Sequence, residues 1–253
     1  MIKLEELEKI SNFKRLSIKN TERDYLLELL LFVIYKYVGR KLVFKGGTAL
    51  YKLHGLNRFS EDLDFTLIDS KLDLQKLLKN VISDLRNINV HAKIKEFDDY
   101  KNQKNIKLEI KGPLYKGNKD DLSLITINIS LREKPMYEAE HKQIFSQYTE
   151  ITSFDVFVMN LNEIFADKIR CIFVRDKARD VYDAWFLLKK EVQIDINIIT
   201  KKLRLSNKEY NKEELISKIE EKRKDWELDL KRVIIGELPK FEGVLKEIKS
   251  ALS

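Results

Sequence analysis

A pair of adjacent glycines between two apolar segments places the strongest constraint on how this chain can fold. Residues 41–45 have the length and composition of a short buried strand, and Gly46 and Gly47 follow directly. A helix is predicted to begin at once, over residues 48–53, and a second strand over residues 59–68. This order of strand, glycines, helix and strand predicts an α+β arrangement, with a mixed sheet covered by helices.

The second predicted strand carries two carboxylates at a spacing of two residues. Leu63, Phe65 and Leu67 fall on one face, so Asp62 and Asp64 point together to the other. Two carboxylates held this close repel each other unless a cation lies between them. A site built only from hard oxygen ligands suits Mg²⁺ or Mn²⁺ bridging the oxygens of a nucleoside triphosphate.

The glycines and the residue after them fit the same ligand. Gly46 and Gly47 allow the backbone to approach a phosphate because no Cβ stands in the way. The helix that follows presents unpaired N–H groups and the positive end of its dipole, and Thr48 adds a hydroxyl donor. Either motif alone is common in turns and strand ends. In this order, with Thr48 and Asp62 14 residues apart, they predict a nucleotide-binding site.

The rest of the chain divides into a strand-rich part and a helical part. Helices are predicted over residues 5–16, 21–38, 72–88, 161–174 and 180–190, with three more between residue 197 and the end, and strands over residues 90–97, 106–110 and 122–131. The change of pattern predicts a first domain over residues 1–155 and a helical domain over residues 156–253.

The charge distribution allows a polyanionic substrate. The net charge is +7, from 48 basic and 41 acidic residues, and residues 1–60 hold 12 basic against 6 acidic ones. A basic segment beside an acidic metal site suits a nucleic acid, although a solvated lysine-rich surface explains the same count. The single cysteine, Cys171, the absence of an apolar run of about 20 residues and the charged N-terminal residues favour a cytoplasmic protein without a membrane helix.

Five sequence blocks together resemble one family. They are residues 44–50, residues 58–65, Gly112-Pro113-Leu114, residues 161–170 and residues 179–183. This set resembles the AbiEii/AbiGii toxin family of nucleotidyltransferases. The resemblance implies a DNA polymerase β-like nucleotidyltransferase domain with a mixed sheet and flanking helices, followed by an α-helical C-terminal domain. It also implies an NTP substrate, an RNA acceptor such as tRNA, and a role as the toxin of a toxin–antitoxin pair with an antitoxin protein.

The resemblance assigns roles to particular residues. It implies that Gly47 and Thr48 hold the nucleotide phosphates and that Asp62 and Asp64 bind the metal. Gly46 is a further nucleotide-binding candidate, and Asp62 and Asp64 are expected to be catalytic. Between the two motifs, Arg58 is expected to pair with a phosphate or with Glu61.

Further catalytic residues are expected from the helical part. The resemblance implies that Lys168 contacts the triphosphate and that Asp180 or Asp183 completes the site. Lys168, Arg175 and Arg179 would form one positive stripe if a single unbroken helix carried them, which makes Arg179 a further nucleotide-binding candidate. A solvated helix face, or pairing of Arg179 with Asp183, explains the same spacing.

One position departs from the pattern of many nucleotidyltransferases, which place a third carboxylate on a central strand. The matching position is Asn128, and an amide cannot take a proton and binds Mg²⁺ poorly. The alignment could be shifted, Glu109 could serve instead, or Asp180 or Asp183 could act as the base. Loss or alteration of activity is the remaining alternative.

Two other interpretations compete with a nucleotidyltransferase. Asp62-Leu63-Asp64-Phe65-Thr66 imitates the nucleophile motif of haloacid dehalogenase-like phosphatases, but the residues before it are too polar for their apolar strand. A catalytically impaired protein that binds nucleotide or RNA and acts through a partner is the second alternative.

Overall fold

A computed structural model describes residues 1–252 of the chain, which form two compact units. The first unit comprises residues 1–54, 60–135 and 139–158, and the second comprises residues 55–59, 136–138 and 159–252. The chain is an α+β protein, as predicted. Two short segments inside the strand-rich part of the sequence thus belong to the helical unit, which the sequence pattern does not indicate.

A seven-stranded mixed sheet forms the centre of the first unit. In chain order its elements are α1 (Leu4–Lys14), α2 (Ile18–Val38), β1 (Leu42–Lys45), α3 (Gly46–His54), β2 (Asp62–Leu67), α4 (Leu74–Asn87), β3 (His91–Tyr100), β4 (Gln103–Lys111), β5 (Ser123–Ser130), β6 (Glu140–Ile144) and β7 (Phe154–Val158). The strand order is β3-β4-β5-β2-β1-β7-β6, with β2 parallel to β5 and antiparallel to β1. The mixed sheet is confirmed, whereas β6 and β7 had not been predicted.

The two faces of the sheet differ in chemistry because each strand alternates apolar and polar residues. Leu63 and Phe65 of β2 are buried, as predicted, and the Phe65 ring lies 5.6 Å from that of Phe44 and 6.4 Å from that of Tyr35 on α2. Asp62 and Asp64 therefore lie on the opposite face from α2. The period of two in the sequence is enough to predict this separation.

A buried ion cluster joins α2 to α3. Asp24 of α2 accepts from the Nζ of Lys14 at 2.5 Å and from the hydroxyl of Tyr148 at 2.7 Å, and Lys52 of α3 lies 2.7 Å from its other oxygen. Lys52 also donates to Glu28, one turn along α2. Burial alone would lower the pKa of Lys52, but Asp24 and Glu28 raise it above its ordinary value. The charged pairs thus fix the orientation of α3.

A second buried carboxylate holds the turn before β5. Glu22 of α2 accepts from the backbone N–H of Leu114 at 2.6 Å and from the hydroxyl of Ser123 at 2.6 Å. A Cβ on Gly112 would lie 2.5 Å from Oε1 of Glu22 and 2.7 Å from its Cδ. Glycine is therefore required here by the close approach of a side chain.

Gly112→Ala is expected to lower the free energy of unfolding by about 1–3 kcal/mol, because the new methyl group displaces the Glu22 carboxylate. Urea denaturation followed by circular dichroism measures the change. Gly243→Ala is the matched control, since a Cβ there meets nothing within 4 Å. Equal stability of the two variants would contradict the role assigned to Glu22.

The second unit is helical. Its elements are α5 (Leu161–Val174), α6 (Ala178–Lys189), α7 (Ile196–Arg204), α8 (Lys212–Glu221), α9 (Trp226–Leu230) and α10 (Phe241–Ala251). Asn160, Asp195 and Asn211 cap α5, α7 and α8 by accepting from backbone N–H groups of the first turn. Trp226 and Phe241 pack edge to face at 5.3 Å in the core. Within residues 1–252, no helix is both long and apolar enough to cross a membrane.

Candidate active site

The first turn of α3 is built around the Asp64 side chain. Gly46 has φ +77°, which favours glycine, and a Cβ on Gly46 would overlap Oδ2 of Asp64 and lie 3.1 Å from its Cγ. The sequence suggested that this glycine makes room for a phosphate. The structure adds that it makes room for a carboxylate of the neighbouring strand.

Asp62 and Asp64 lie side by side on β2, and each is held by a residue of β5. The Nδ2 of Asn128 donates to Oδ1 of Asp64 at 3.0 Å, and Thr126 hydrogen-bonds Asp62. Partial burial of Asp62 and the negative charges of Asp64 and Glu61 raise the pKa of Asp62 above its ordinary value. The fold thus holds two carboxylates together against their mutual repulsion.

Asn128 occupies the position beside the carboxylate pair that the sequence comparison suggested. β2 and β5 run parallel with Asp64 opposite Asn128. Glu109, the alternative on the preceding strand, has its carboxylate 2.7 Å from the Nζ of Lys93 and 3.1 Å from that of Lys95. Hydrogen bonds from these two lysines lower the pKa of Glu109. The side chain on β5 that lies beside Asp64 is therefore an amide.

Thr48 uses its hydroxyl within the fold. The side chain is buried, and its Oγ1 donates to the backbone carbonyl of Asp62 at 2.5 Å. This bond ties the first turn of α3 to the start of β2. A contact between the Thr48 hydroxyl and a phosphate stays a prediction, and it would require the hydroxyl to leave this carbonyl.

The residues around Asp62 and Asp64 fit a divalent cation. The two carboxylates offer hard oxygen donors, and a cation between them would neutralise their negative charges, which together with partial burial raise the pKa of Asp62. No group of three or more His, Cys, Asp and Glu side chains stands together as a metal site anywhere in residues 1–252. The pair of Asp62 and Asp64 suits Mg²⁺, which keeps several waters or phosphate oxygens as its other ligands.

The candidates of the helical unit form a buried ion network. Arg58 binds Asp183 through two hydrogen bonds of 2.6 Å, and Lys168 lies 2.7 Å from Asp183 and 3.0 Å from Asp180. All four side chains are buried. Arg58 was expected to meet a phosphate or Glu61, and the structure gives it Asp183. Glu61 pairs with Arg23.

The charges in this network are matched. Burial alone would raise the pKa of Asp183, but Arg58 and Lys168 hold it below its ordinary value. Burial would likewise lower the pKa of Lys168, and Asp183 and Asp180 raise it. A carboxylate whose pKa is lowered by bound cations, as that of Asp183 is, is a poor proton acceptor. The catalytic roles of Lys168, Asp180 and Asp183 stay predictions.

The condition for a continuous positive stripe, a single unbroken helix, is not met in the structure. α5 ends at Val174 and α6 begins at Ala178, so one helix does not carry Lys168, Arg175 and Arg179. Arg175 instead turns back to bind Asp180 through hydrogen bonds of 2.6 Å and 2.7 Å. Arg179 lies 3.8 Å from Asp229. Its nucleotide contact stays a prediction.

A comparison with known protein families covers the part of the chain that contains these residues. A sequence model of the family described as "Nucleotidyl transferase AbiEii toxin, Type IV TA system" matches residues 35–247. The chain belongs to the AbiEii family. It is therefore a nucleotidyltransferase of a toxin–antitoxin family, and a nucleotide substrate and an antitoxin partner follow from this membership at the family level. No curated protein matches the sequence.

Solved structures support the AbiEii fold. JHP933 from Helicobacter pylori is 23% identical with a TM-score of 0.62, over 93% of this chain and 91% of that one. MenT4, a nucleotidyltransferase toxin from Mycobacterium tuberculosis, is 14% identical with a TM-score of 0.70, over 100% of this chain and 89% of that one. At these identities the likeness establishes the fold.

Two residues that lie beside the carboxylate pair are not identified by the sequence pattern. Lys45, the last residue of β1, lies opposite Asp64 and so shares its face of the sheet. Thr126 lies opposite Asp62 on β5. The alternation of polar residues in β5 is visible in the sequence, but the register that sets Thr126 beside Asp62 is not.

Proposed function

We propose that this AbiEii nucleotidyltransferase transfers a nucleotide from an NTP to the 3′ hydroxyl of an RNA such as tRNA, with Mg²⁺ or Mn²⁺ held by Asp62 and Asp64. The observation that carries the proposal is the carboxylate pair itself, fixed by Asn128 and packed against Gly46 at the start of α3. A rigid acidic pair beside a helix N-terminus matches the charges of a metal-bound triphosphate.

The chain's own residues orient the nucleotide. Gly46 and Gly47 are the first residues of α3, so their backbone N–H groups lie at the positive end of the helix dipole. These groups would donate hydrogen bonds to phosphate oxygens. Asp62 and Asp64 would hold the cation, which would supply charge neutralisation for the triphosphate. The RNA hydroxyl oxygen would bond to the α-phosphorus in line as the bond to pyrophosphate breaks, and the hydroxyl proton would pass to solvent water.

An amide in place of a third carboxylate is compatible with this chemistry. Phosphoryl transfer passes through a loose transition state, so orientation and charge neutralisation supply most of the rate enhancement. Asn128 supports orientation, since its Nδ2 fixes Oδ1 of Asp64. The RNA acceptor is supported by the basic character of residues 1–60, with 12 basic and 6 acidic residues, and by the family resemblance.

Asp62→Asn and Asp64→Asn are expected to abolish nucleotide transfer. In an assay with total tRNA and each α-³²P-labelled NTP, the label incorporated into tRNA should fall to background. Both variants should unfold at the same temperature as the wild type or higher, because each change removes a repulsive charge. Added Mg²⁺ should raise the unfolding temperature of the wild type more than that of either variant.

Asp155→Asn, which removes an exposed carboxylate of β7, is the matched control and should leave transfer unchanged. Equal labelling of tRNA by the wild type and by both site variants would remove Asp62 and Asp64 from the active site. Labelling of an acceptor other than RNA by the wild type would correct the acceptor and keep the site.

A further inference from the structure

The face of the sheet that carries Asp62 and Asp64 continues as a polar surface over β5, β4 and β3; we call it the open face. On the other face, α2 packs against β5 and α4 against β3. The apolar residues of β4 and β5 point to that helix-covered side and are buried, namely Ile106, Leu108, Ile110, Ile125, Ile127 and Ile129. Their polar neighbours along each strand therefore line the open face.

Two lateral rows of side chains lead away from the carboxylate pair. The strand register places Asp62, Thr126, Lys107 and Glu96 in one row. Adjacent strands are about 4.8 Å apart, so the strand of Lys107 lies about 10 Å from that of Asp62. This distance is short enough for one extended ligand to reach both.

The second row supplies two neutral amides between two carboxylates. Asp64, Asn128, Asn105 and Asp98 lie side by side on successive strands. Amide side chains both donate and accept hydrogen bonds, so they can bind the uncharged groups of RNA, its bases and ribose hydroxyls.

Lysines on the open face stand in exposed ion pairs. Lys107 lies 2.7 Å from Glu96, and the two side chains are 36% and 46% exposed. Lys93 and Lys95 pair with Glu109 and line a pocket of about 560 Å³. The exposed Lys107–Glu96 pair contributes little to stability, so Lys107 can exchange its carboxylate for a phosphate at small cost.

An exposed aromatic ring ends the open face. Tyr100, the last residue of β3, pairs with Gln103 of β4 and is 58% exposed. Gln103 donates to Asn105, so both belong to the open face, and Tyr100 shares it. An accessible ring on a polar surface is the usual platform on which single-stranded nucleic acids stack their bases.

We propose that the open face binds the single-stranded 3′ end of the acceptor RNA. A base stacks on Tyr100, a phosphate contacts Lys107, and the strand runs along the two rows toward Asp62 and Asp64. The inference rests on the proposed function, since it names the surface that presents the RNA hydroxyl to that site.

The test measures RNA binding separately from transfer. Fluorescence anisotropy of a labelled short single-stranded RNA is expected to show an affinity for Tyr100→Ala that is reduced about 10-fold or more, because a base loses the ring on which it stacks. Tyr100→Phe should keep wild-type binding, since it retains the ring. Lys107→Ala should weaken binding several-fold and reduce its dependence on salt.

Lys104→Ala is the matched control, because Lys104 is a lysine of the same strand whose neighbour Ile129 belongs to the helix-covered side. In the transfer assay, the Tyr100 and Lys107 variants should raise KM for RNA and leave KM for NTP unchanged. Wild-type affinity for RNA in both variants, or equal loss in Lys104→Ala, would overturn the proposal. So would a wild-type protein that binds no single-stranded RNA.

The two proposals can fail separately. RNA binding that depends on Tyr100 and Lys107, without label transfer to RNA, would retain the open face as an RNA surface and remove the proposed acceptor reaction. Transfer to RNA that is indifferent to Tyr100 and Lys107 would retain the function and remove the open face. If Tyr100→Ala weakened the binding of a protein partner and left RNA binding intact, the open face would be a surface for that protein instead.

Discussion

Asp183→Asn is expected to lower the free energy of unfolding by about 3–5 kcal/mol, because it leaves buried cations without their carboxylate. Arg58 and Lys168 both bind Asp183, and their side chains are buried. An asparagine cannot accept in the same two-pronged geometry from the guanidinium and carries no charge. The loss should appear as a lower midpoint in urea denaturation followed by circular dichroism.

Glu242→Gln is the matched control for Asp183→Asn, since it makes the same chemical change in an exposed pair with Arg223. Its cost should stay below about 1 kcal/mol. Equal costs for the two substitutions would mean that the Arg58–Asp183 pair contributes no more than a surface pair.

The pH dependence of stability tests the same network. Arg58 and Lys168 hold the pKa of Asp183 below its ordinary value, so the folded state binds this proton less readily than the unfolded state. Its contribution is therefore present above the ordinary aspartate pKa of about 3.9 and is lost as the pH falls below it. Asp183→Asn should lose less stability than the wild type across this acid range.

Gly46→Ala is expected to reduce nucleotide transfer by about 100-fold or more, because a displacement of about 1 Å in a catalytic group can have an effect of that size. The new Cβ would occupy the space of the Asp64 carboxylate, which must then leave its hydrogen bond to Asn128. Steady-state transfer kinetics with labelled NTP measure the loss.

Gly55→Ala separates backbone strain from displacement of Asp64. Gly55 has φ +74°, close to the +77° of Gly46, but a Cβ on Gly55 meets nothing within 4 Å. Both variants should lose about 1–2 kcal/mol of stability from the left-handed conformation. Only Gly46→Ala should lose transfer, and equal transfer by the two variants would show that Asp64 tolerates the added methyl group.

Local patterns predict the parts of the site that lie within one element. The period of two in β2 is sufficient to set Asp62 and Asp64 on one face, opposite Leu63 and Phe65. A run of apolar residues after the glycines is sufficient to predict a helix there, although α3 begins at Gly46 itself. These predictions succeed because backbone geometry fixes side-chain direction within a strand or helix.

Patterns that assume a continuous element fail when the chain breaks. Lys168 and Arg175 would share a helical stripe only on one unbroken helix, and Arg175 lies beyond the end of α5. They nevertheless meet, because Asp180 binds both. A buried carboxylate attracts cations from any segment that reaches it, and sequence spacing does not record that attraction.

The sequence by itself determined the chemistry of the opening motif: glycines before a helix, and two carboxylates on one side of a strand. Only the tertiary structure decided their neighbours. The register of β2 on β5 brings Asn128 to Asp64, 64 residues apart, and Asp183 binds Arg58 across 125 residues. Direction within an element follows from local backbone geometry, whereas partners between elements depend on how the whole chain packs its apolar faces.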